Sequence, residues 1–283
     1  MKKTIIVIGA TGMIGQAVSK QLKNDGFTVR VLSRSADKAR EIFKEGFEIV
    51  VGDVFKKGSL VSAFDGIQGI YINLPEQNIE KAIGNILQQL KLTAVEHIGY
   101  TSGCTVREEN ASHPMIRSHF EAENKIMESG MAWSIFRPIM VLDTLPAYAN
   151  KGKPFIIGHQ PHAWSWIHTV DMARMISKAF QTNEALNKKF TLFGPDKLSI
   201  PEAIDLFNEE FYPSAKKAKP TPYWISHLLA LFIGSKLKYA ISIFKYFKTH
   251  PEEGDPFEAN KLLGLPLTGM KEFFELYREN TSV

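Results

Sequence analysis

The stretch "TIIVIGATGMIGQAVSKQLKN", residues 4–24, decides the fold. Thr4–Ile8 is a continuous, β-branched apolar run, the pattern of a strand buried on both faces. Gly9, Gly12 and Gly15 follow in G-x-x-G-x-x-G spacing, and the pattern turns helical from about Met13 to Asn24, closed by Gly26. A glycine motif is a weak signal alone and a strong one between a strand and a helix. Gly9 lets the chain turn off the strand, Gly12 removes a side chain where a pyrophosphate meets the backbone, and Gly15 lets helix and strand pack closely. The helix N-terminus then offers unpaired N–H groups and a positive dipole to phosphates, flanked by Thr11, Met13 and Ile14. The bland alternative is a tight turn with no ligand.

Working outward, apolar runs at Thr28–Leu32, Glu48–Val51, Gly69–Asn73, His97–Ser102 and Trp133–Arg137 read as further strands. Helical segments alternate with them, over Ser35–Lys44, along the face Ile79, Ala82, Ile83, Ile86, Leu87 and Leu90, and over Met115–Ser129. Alternation of this kind over about 140 residues predicts an α/β, doubly wound parallel sheet, with ligands at the carboxyl ends of its strands. Past Pro138 the character changes. Residues 143–165 read as loop, 171–180 as helix, 188–195 as one more strand, and 222–248 and 257–280 as helical. Ser199, with Pro201 and Glu202, is a capping-box start. The expected division is 1–145, with 163–195 returning to it, against a smaller, mostly helical C-terminal substrate subdomain of 146–162 and 196–283.

The chain has 283 residues, 44% hydrophobic and 23% charged, with a formal net charge of +4. Its basic residues are spread out, except for Lys216, Lys217 and Lys219, which argues against a nucleic-acid footprint. Cys104 is the single cysteine, so there is no internal disulfide and no sign of a structural zinc site. The first apolar run is too short for a signal-peptide core and no stretch reaches the length of a membrane span, so a cytoplasmic protein is expected. His159, His162 and His168 match no common ligand spacing, and no metal is expected.

The end of the second strand bears on the cofactor. A dinucleotide with a free ribose 2′-hydroxyl is usually held there by Asp or Glu. Here the residues are Ser33, Arg34 and Ser35, with Lys38 a turn later. A guanidinium in that place binds a 2′-phosphate and stacks on adenine, which favours NADP(H) over NAD(H). Asp53, with Val54 against the ring, either accepts from the adenine amino group or simply starts a helix.

The stretches "GATGMIG", "VLSRSADKA", "VVGDV", "VEHIGYTSG", "EAENKIMESGMAWSIFRP" and "WIHTVDMARMI" in that order resemble an atypical short-chain dehydrogenase/reductase of the NmrA-like type. The resemblance covers about residues 1–200 and implies a Rossmann-type, NAD(P)-binding protein. That group holds both redox sensors and NADPH-dependent quinone and phenolic-ether reductases. It implies that Asn73, Leu74 and Pro75 pass beneath the adenine-side ribose and the nicotinamide, that Pro138 and Ile139 face the nicotinamide, that Ser102 lies near the family's serine/threonine position, and that Thr101 also lines the cofactor site. It also makes Asp171 a helix-capping residue. The wider superfamily places Tyr and Lys four apart on the helix after the fifth strand. Aligned on Glu123, those positions hold Met115 and His119. Methionine cannot protonate a carbonyl oxygen. His119 is then a candidate for ribose contact and for proton donation, against a helix-surface histidine; Ser102 is a candidate for touching substrate, against a turn cap. Tyr148 is the spare phenol.

Two functions remain open. One is an NADPH-dependent oxidoreductase on an apolar or aromatic acceptor such as a quinone or enone, where conjugation spreads the developing charge. The other is an NADP(H) sensor that binds a protein partner without turnover. The apolar stretches "YWISHLLALFIG" and "YAISIFKYF" read either as a membrane-surface or partner-binding hairpin or as the roof of an apolar pocket, the second favoured, with Trp164 and Trp166 joining the wall.

Overall fold

The computed structural model describes residues 2–74 and 78–281. In chain order the elements begin β1 (Thr4–Ile8), α1 (Met13–Asn24), β2 (Thr28–Ser33), α2 (Ala36–Ile42) and β3 (Glu48–Val51). There follow β4 (Gly69–Ile72), α3 (Ile79–Leu90), β5 (His97–Thr101), α4 (Pro114–Met127) and β6 (Ala132–Pro138). The next group is β7 (Met140–Val141), α5 (Leu145–Ala149), β8 (Ile156–Ile157), β9 (Ala163–Ile167), α6 (Thr169–Ala179) and β10 (Lys188–Leu192). The last is β11 (Asp196–Ser199), α7 (Ile200–Phe211), β12 (Pro220–Thr221), α8 (Tyr223–Ile233), α9 (Ser235–Thr249), α10 (Phe257–Leu263) and α11 (Met270–Thr281).

The chain forms two compact units. One holds the chain up to Pro138 with Thr169–Leu192 and Gly254–Pro266; the other holds Ile139–His168, Phe193–Glu253 and the chain from Leu267 on. These boundaries differ from those read in the sequence. The cut falls at Pro138, residues 163–168 stay with the second unit, and 254–266 return to the first, where α10 packs on α6 and β10.

The first unit is the doubly wound sheet, Rossmann-type, with seven parallel strands in the order β10-β6-β5-β4-β1-β2-β3. One set of sheet side chains, Ile6, Ile8, Ile70, Ile72, Ile98, Tyr100 and Ile135, shares a core with Ile79, Ile83, Ile86 and Leu90 of α3 and Ala122 and Ile126 of α4. α1 packs against α6. Glycines make room in the strands: a Cβ on Gly69 would lie 3.2 Å from the Phe180 ring, and one on Gly99 2.9 Å from it. The same ring lies 4.5 Å from that of buried His97.

The second unit corrects the loop expected at 143–165, which carries α5, β8 and most of β9. These are two- to five-residue elements, too short to show a period, and they exist because partners pair with them. β9 runs antiparallel to β11 and parallel to β7, and β8 pairs with β12. The strand read over 188–195 ends at Leu192, and β11 is an element the sequence did not announce. Trp164 and Trp166 are wholly buried with Ile204, Phe207, Ile241 and Phe273, so they are core rather than pocket wall. The capping box at Ser199 and Glu202 is present as read.

The Phe180 slot gives a test. Gly99→Val is expected to cost about 1–3 kcal/mol in a urea unfolding titration, because the added methyls meet a ring that cannot retreat. Combining it with Phe180→Ala should cost less than the sum of the two single changes.

Candidate functional site

β1 is bonded to β2 on one side and β4 on the other, so the connections leaving the sheet diverge beside it. Ligands of such sheets collect at that divergence. Asn73, just past β4, donates its N–H to the Ile8 carbonyl at 3.1 Å. Gly9 has φ of 77°, and a Cβ there would sit 1.8 Å from the Asn73 oxygen. A Cβ on Gly15 would sit 2.2 Å from the Gly9 oxygen. Both positions therefore admit only glycine at this backbone separation. Gly12 caps α1 with no side-chain bond, and the first turn carries no acid, so its electropositive end is uncompensated. Met13 is exposed, and Thr11 and Ile14 are half-buried beside it. The cradle fits a pyrophosphate on these grounds.

At the end of β2, buried Ser33 donates its hydroxyl to the Ser35 carbonyl at 2.8 Å, and Ser35 caps α2 by accepting from the Lys38 N–H at 3.3 Å. The side chains of Arg34 and Lys38 are exposed and have no hydrogen bond or ion pair among the described residues. Asp53 accepts the Phe55 N–H at 3.0 Å and so opens a turn rather than a helix. Val54 is buried and its carbonyl takes the Asn85 amide at 2.9 Å. Leu74 is half-buried against the sheet core. Pro75 lies outside the described residues.

Past the end of β5, near the end of β6 and beside the start of β10, a carboxylate organises the surroundings. Glu123 on α4 is fully buried. It accepts the Ser102 hydroxyl at 2.6 Å, Arg137 Nε at 2.9 Å and Arg137 Nη2 at 2.5 Å, and pairs with Lys189 at 3.1 Å. A buried charge persists only when paired and hydrogen-bonded in this way. The Ser102 hydroxyl hydrogen is thus committed to Glu123, and its oxygen can only accept from anything else. Thr101 is likewise tied, its hydroxyl 2.5 Å from that of buried Tyr71. Pro138 is buried and accepts the Cys104 N–H at 3.0 Å; Ile139 begins the second unit.

His119 lies one turn before Glu123, and it is buried rather than on the helix surface. Its Nδ1 is 2.7 Å from the hydroxyl of Tyr100, itself buried. Burial pushes the His119 pKa down to about 4, opposed in part by the Glu123 charge, and burial raises that of Tyr100 well above its usual value. The phenol therefore keeps its proton, and Nδ1 is its acceptor among the described residues. That assignment puts the imidazole proton on Nε2, which has no partner among the described residues. His119 is thus a neutral N–H donor, not an imidazolium. The sequence missed Tyr100, Arg137 and Lys189. The arginine in the apolar strand "WSIFRP" was the available signal, since a buried guanidinium requires an acid.

The remaining candidates are placed elsewhere. Tyr148 packs edge-on to Phe244 in the second unit, 6.2 Å between centroids. His162 Nε2 is 3.0 Å from the Lys248 carbonyl, and His168 is 3.5 Å from Asp143. Asp171 lies inside the first turn of α6 rather than before it, paired with Arg174 at 3.0 Å. Among the described residues no three metal-ligating side chains are grouped.

A glycine cradle at the switch point of a seven-stranded parallel sheet defines a dinucleotide-binding protein of Rossmann type. The NmrA-like family matches residues 1–274, and the chain belongs to that family. It is 28% identical to an NAD(P)H azoreductase of Xenophilus azovorans over 70% of each chain. It is 40% identical to an NmrA-like oxidoreductase of Aspergillus versicolor, over 84% of this chain and 76% of the other. It is 23% identical to a photosystem II assembly factor of Trieres chinensis, over 97% and 86%. In fold it resembles triphenylmethane reductase of Citrobacter sp. complexed with NADP(H), with TM-score 0.80 and 19% identity over 96% and 99% of the two chains.

The buried groups give two expected outcomes. Glu123→Gln leaves Arg137 and Lys189 without their anion and is expected to cost about 3–5 kcal/mol in a denaturant titration, whereas replacing Glu123 and Arg137 together by Met costs less than the two single losses combined. His119 and His97 both have folded pKa values lowered by burial to about 4, so between there and the ordinary value the unfolded chain binds more protons. Their contribution is complete above pH ~6.5 and is lost as pH falls toward 4, on the order of 3 kcal/mol for each ring. Two histidine Cε1–H resonances that do not titrate above pH ~5 are the expected NMR signature.

Proposed function

We propose that this chain is an NADPH-dependent reductase of conjugated, apolar or aromatic acceptors such as azo dyes and quinones. The observation that carries the cofactor preference is the pair of unpartnered cations, Arg34 and Lys38, at the end of β2, where a 2′-hydroxyl reader would be acidic. The glycine cradle and the bare N-terminus of α1 hold the diphosphate. Bound there, the dinucleotide supplies a hydride, and the chain's own task is to bind, orient and manage the proton.

The Tyr and Lys of related dehydrogenases are replaced by Met115 and His119. Neutral His119 offers Nε2–H as a donor to a ribose hydroxyl or a developing oxyanion, with Tyr100 fixing its tautomer. A neutral imidazole polarises the developing anion without surrendering its own proton, so water supplies the proton that completes the reduction; this suits acceptors whose charge is delocalised and fits poorly with simple ketones. Ser102 holds Glu123 in place and accepts rather than donates. An azo compound is the substrate of one relative by name, and a quinone that of an NADPH-dependent oxidoreductase of Escherichia coli similar in fold, with TM-score 0.75 and 18% identity, which supports the choice. The assembly-factor relative supports a second reading, an NADP(H)-dependent binding protein without turnover.

NADPH consumption with an azo dye and a quinone panel separates the two. Turnover supports the reductase, and tight NADPH binding with no turnover on any acceptor supports the binding protein. Arg34→Ala is expected to weaken NADPH about 10- to 100-fold by calorimetry while changing NADH less than about threefold. The rate should show no inflection near pH ~6.5, and an inflection there that His119→Gln abolishes would contradict a neutral His119.

A further inference from the structure

α8 and α9 form a hairpin joined at Gly234, and α8 packs the wrong residues inward for a helix serving only its own core. Its buried positions are Ser226 and Ala230. Its large apolar residues point out: Trp224 is 65% exposed, Leu231 70% and Phe232 89%. Leu228 and Ile233 are exposed with them. A helix that is apolar all round belongs in contact with something apolar on both sides.

The hairpin's own charges are of one sign. From Phe211 to Pro251 the chain has seven lysines, at 216, 217, 219, 236, 238, 245 and 248, and not one Asp or Glu. The rest of the chain carries 27 Lys and Arg against 30 Asp and Glu. All seven lysines are exposed, and none pairs with a carboxylate among the described residues. Lys238 lines the same open depression, about 700 Å³, as Trp224, Leu228 and Leu231. Lys236 follows Phe232 and Ile233 across the hairpin tip.

We propose that the α8–α9 hairpin seats this protein on the surface of an anionic phospholipid bilayer. Trp224, Leu228, Leu231 and Phe232 enter the boundary between headgroups and acyl chains, and the lysines hold the headgroup phosphates. Charge complementarity selects this occupant. A second copy of the same hairpin would set its four lysines, 236, 238, 245 and 248, against four more with no carboxylate of the hairpin between them. No helix among the described residues is long and apolar enough to cross a membrane, so the contact is made in the plane of the surface.

The test is sedimentation of the full chain with vesicles of phosphatidylcholine alone or with about 30% phosphatidylserine added. Trp224 is the one strongly exposed tryptophan among the described residues, so its emission should move to the blue on anionic vesicles. Salt that shortens the Debye length from about 10 Å to a few ångström should release the protein. Leu228→Asp with Phe232→Asp should abolish binding, and Lys236→Gln with Lys238→Gln should weaken it by about fivefold per lysine; both pairs are exposed, and circular dichroism checks their fold. No sedimentation, equal sedimentation with neutral vesicles, or binding unchanged by the double Asp variant overturns the proposal. So does a dimer in vesicle-free solution that the double Asp variant dissociates, which would give the face to a second copy. Quenching of Trp224 by a soluble quinone without vesicles, lost in the same variant, would give it to substrate and overturn the proposal equally.

Discussion

The close approach of two backbone segments beside β1 is the constraint on which the site depends. Parallel strands all present their carboxyl ends at one edge, and the sheet order parts at β1, with β2 on one side and β4 on the other. The chain leaving β1 must turn within a side-chain radius of the chain leaving β4, so Gly9 has the Asn73 oxygen where its own Cβ would be. That leaves bare backbone, a helix N-terminus and no carboxylate, a place that favours a diphosphate over a side chain. The same edge fixes the rest. Arg34 follows β2, Ser102 follows β5, and Arg137 lies at the end of β6.

Glu123 is the second fixed point. Its carboxylate is removed from water and answered by one guanidinium, one ammonium and one hydroxyl. Such a cluster contributes less to stability than its contacts suggest, because desolvation offsets most of the attraction, but it holds its members in one geometry. It ties α4 to β5, β6 and β10, and with α4 it positions His119 against Tyr100. Where a phenol and an ammonium would serve in related dehydrogenases, this chain presents an imidazole that burial keeps neutral. On the proposed reductase reading, the change decides which acceptors are helped, because a hydrogen bond from a neutral ring stabilises a delocalised anion better than it can complete the reduction of an isolated carbonyl.

The second unit is governed by different physics. Its core is aromatic and well filled, with Trp164, Trp166, Phe207 and Phe273 packed together. α8 adds little to that core and leaves its largest residues in solvent, where each forfeits about 1.5–3 kcal/mol of burial. Residues kept outside at that cost, with Lys238 beside them, are what the proposed membrane contact would cover.

The doubly wound sheet was legible in the sequence because buried parallel strands and amphipathic helices write their periods directly into the chain. Thr4–Ile8, the glycine spacing and the apolar face of Ile79–Leu90 are of this kind. So were the capping box at Ser199 and the absence of an acid beside Arg34, which are local patterns. Tertiary structure alone decided what depends on partners far away in the chain. The short strands within 143–165 form because β11 and β12 come to meet them, and 254–266 return to the first unit because α6 and β10 offer them a surface. In the sequence His119 is either a site residue or a helix-surface histidine; only when α4 is laid against β5 is it buried, and burial takes its charge away. Periodicity reports which face of an element is apolar; what that face meets, and hence the protonation of any group on it, is set by packing.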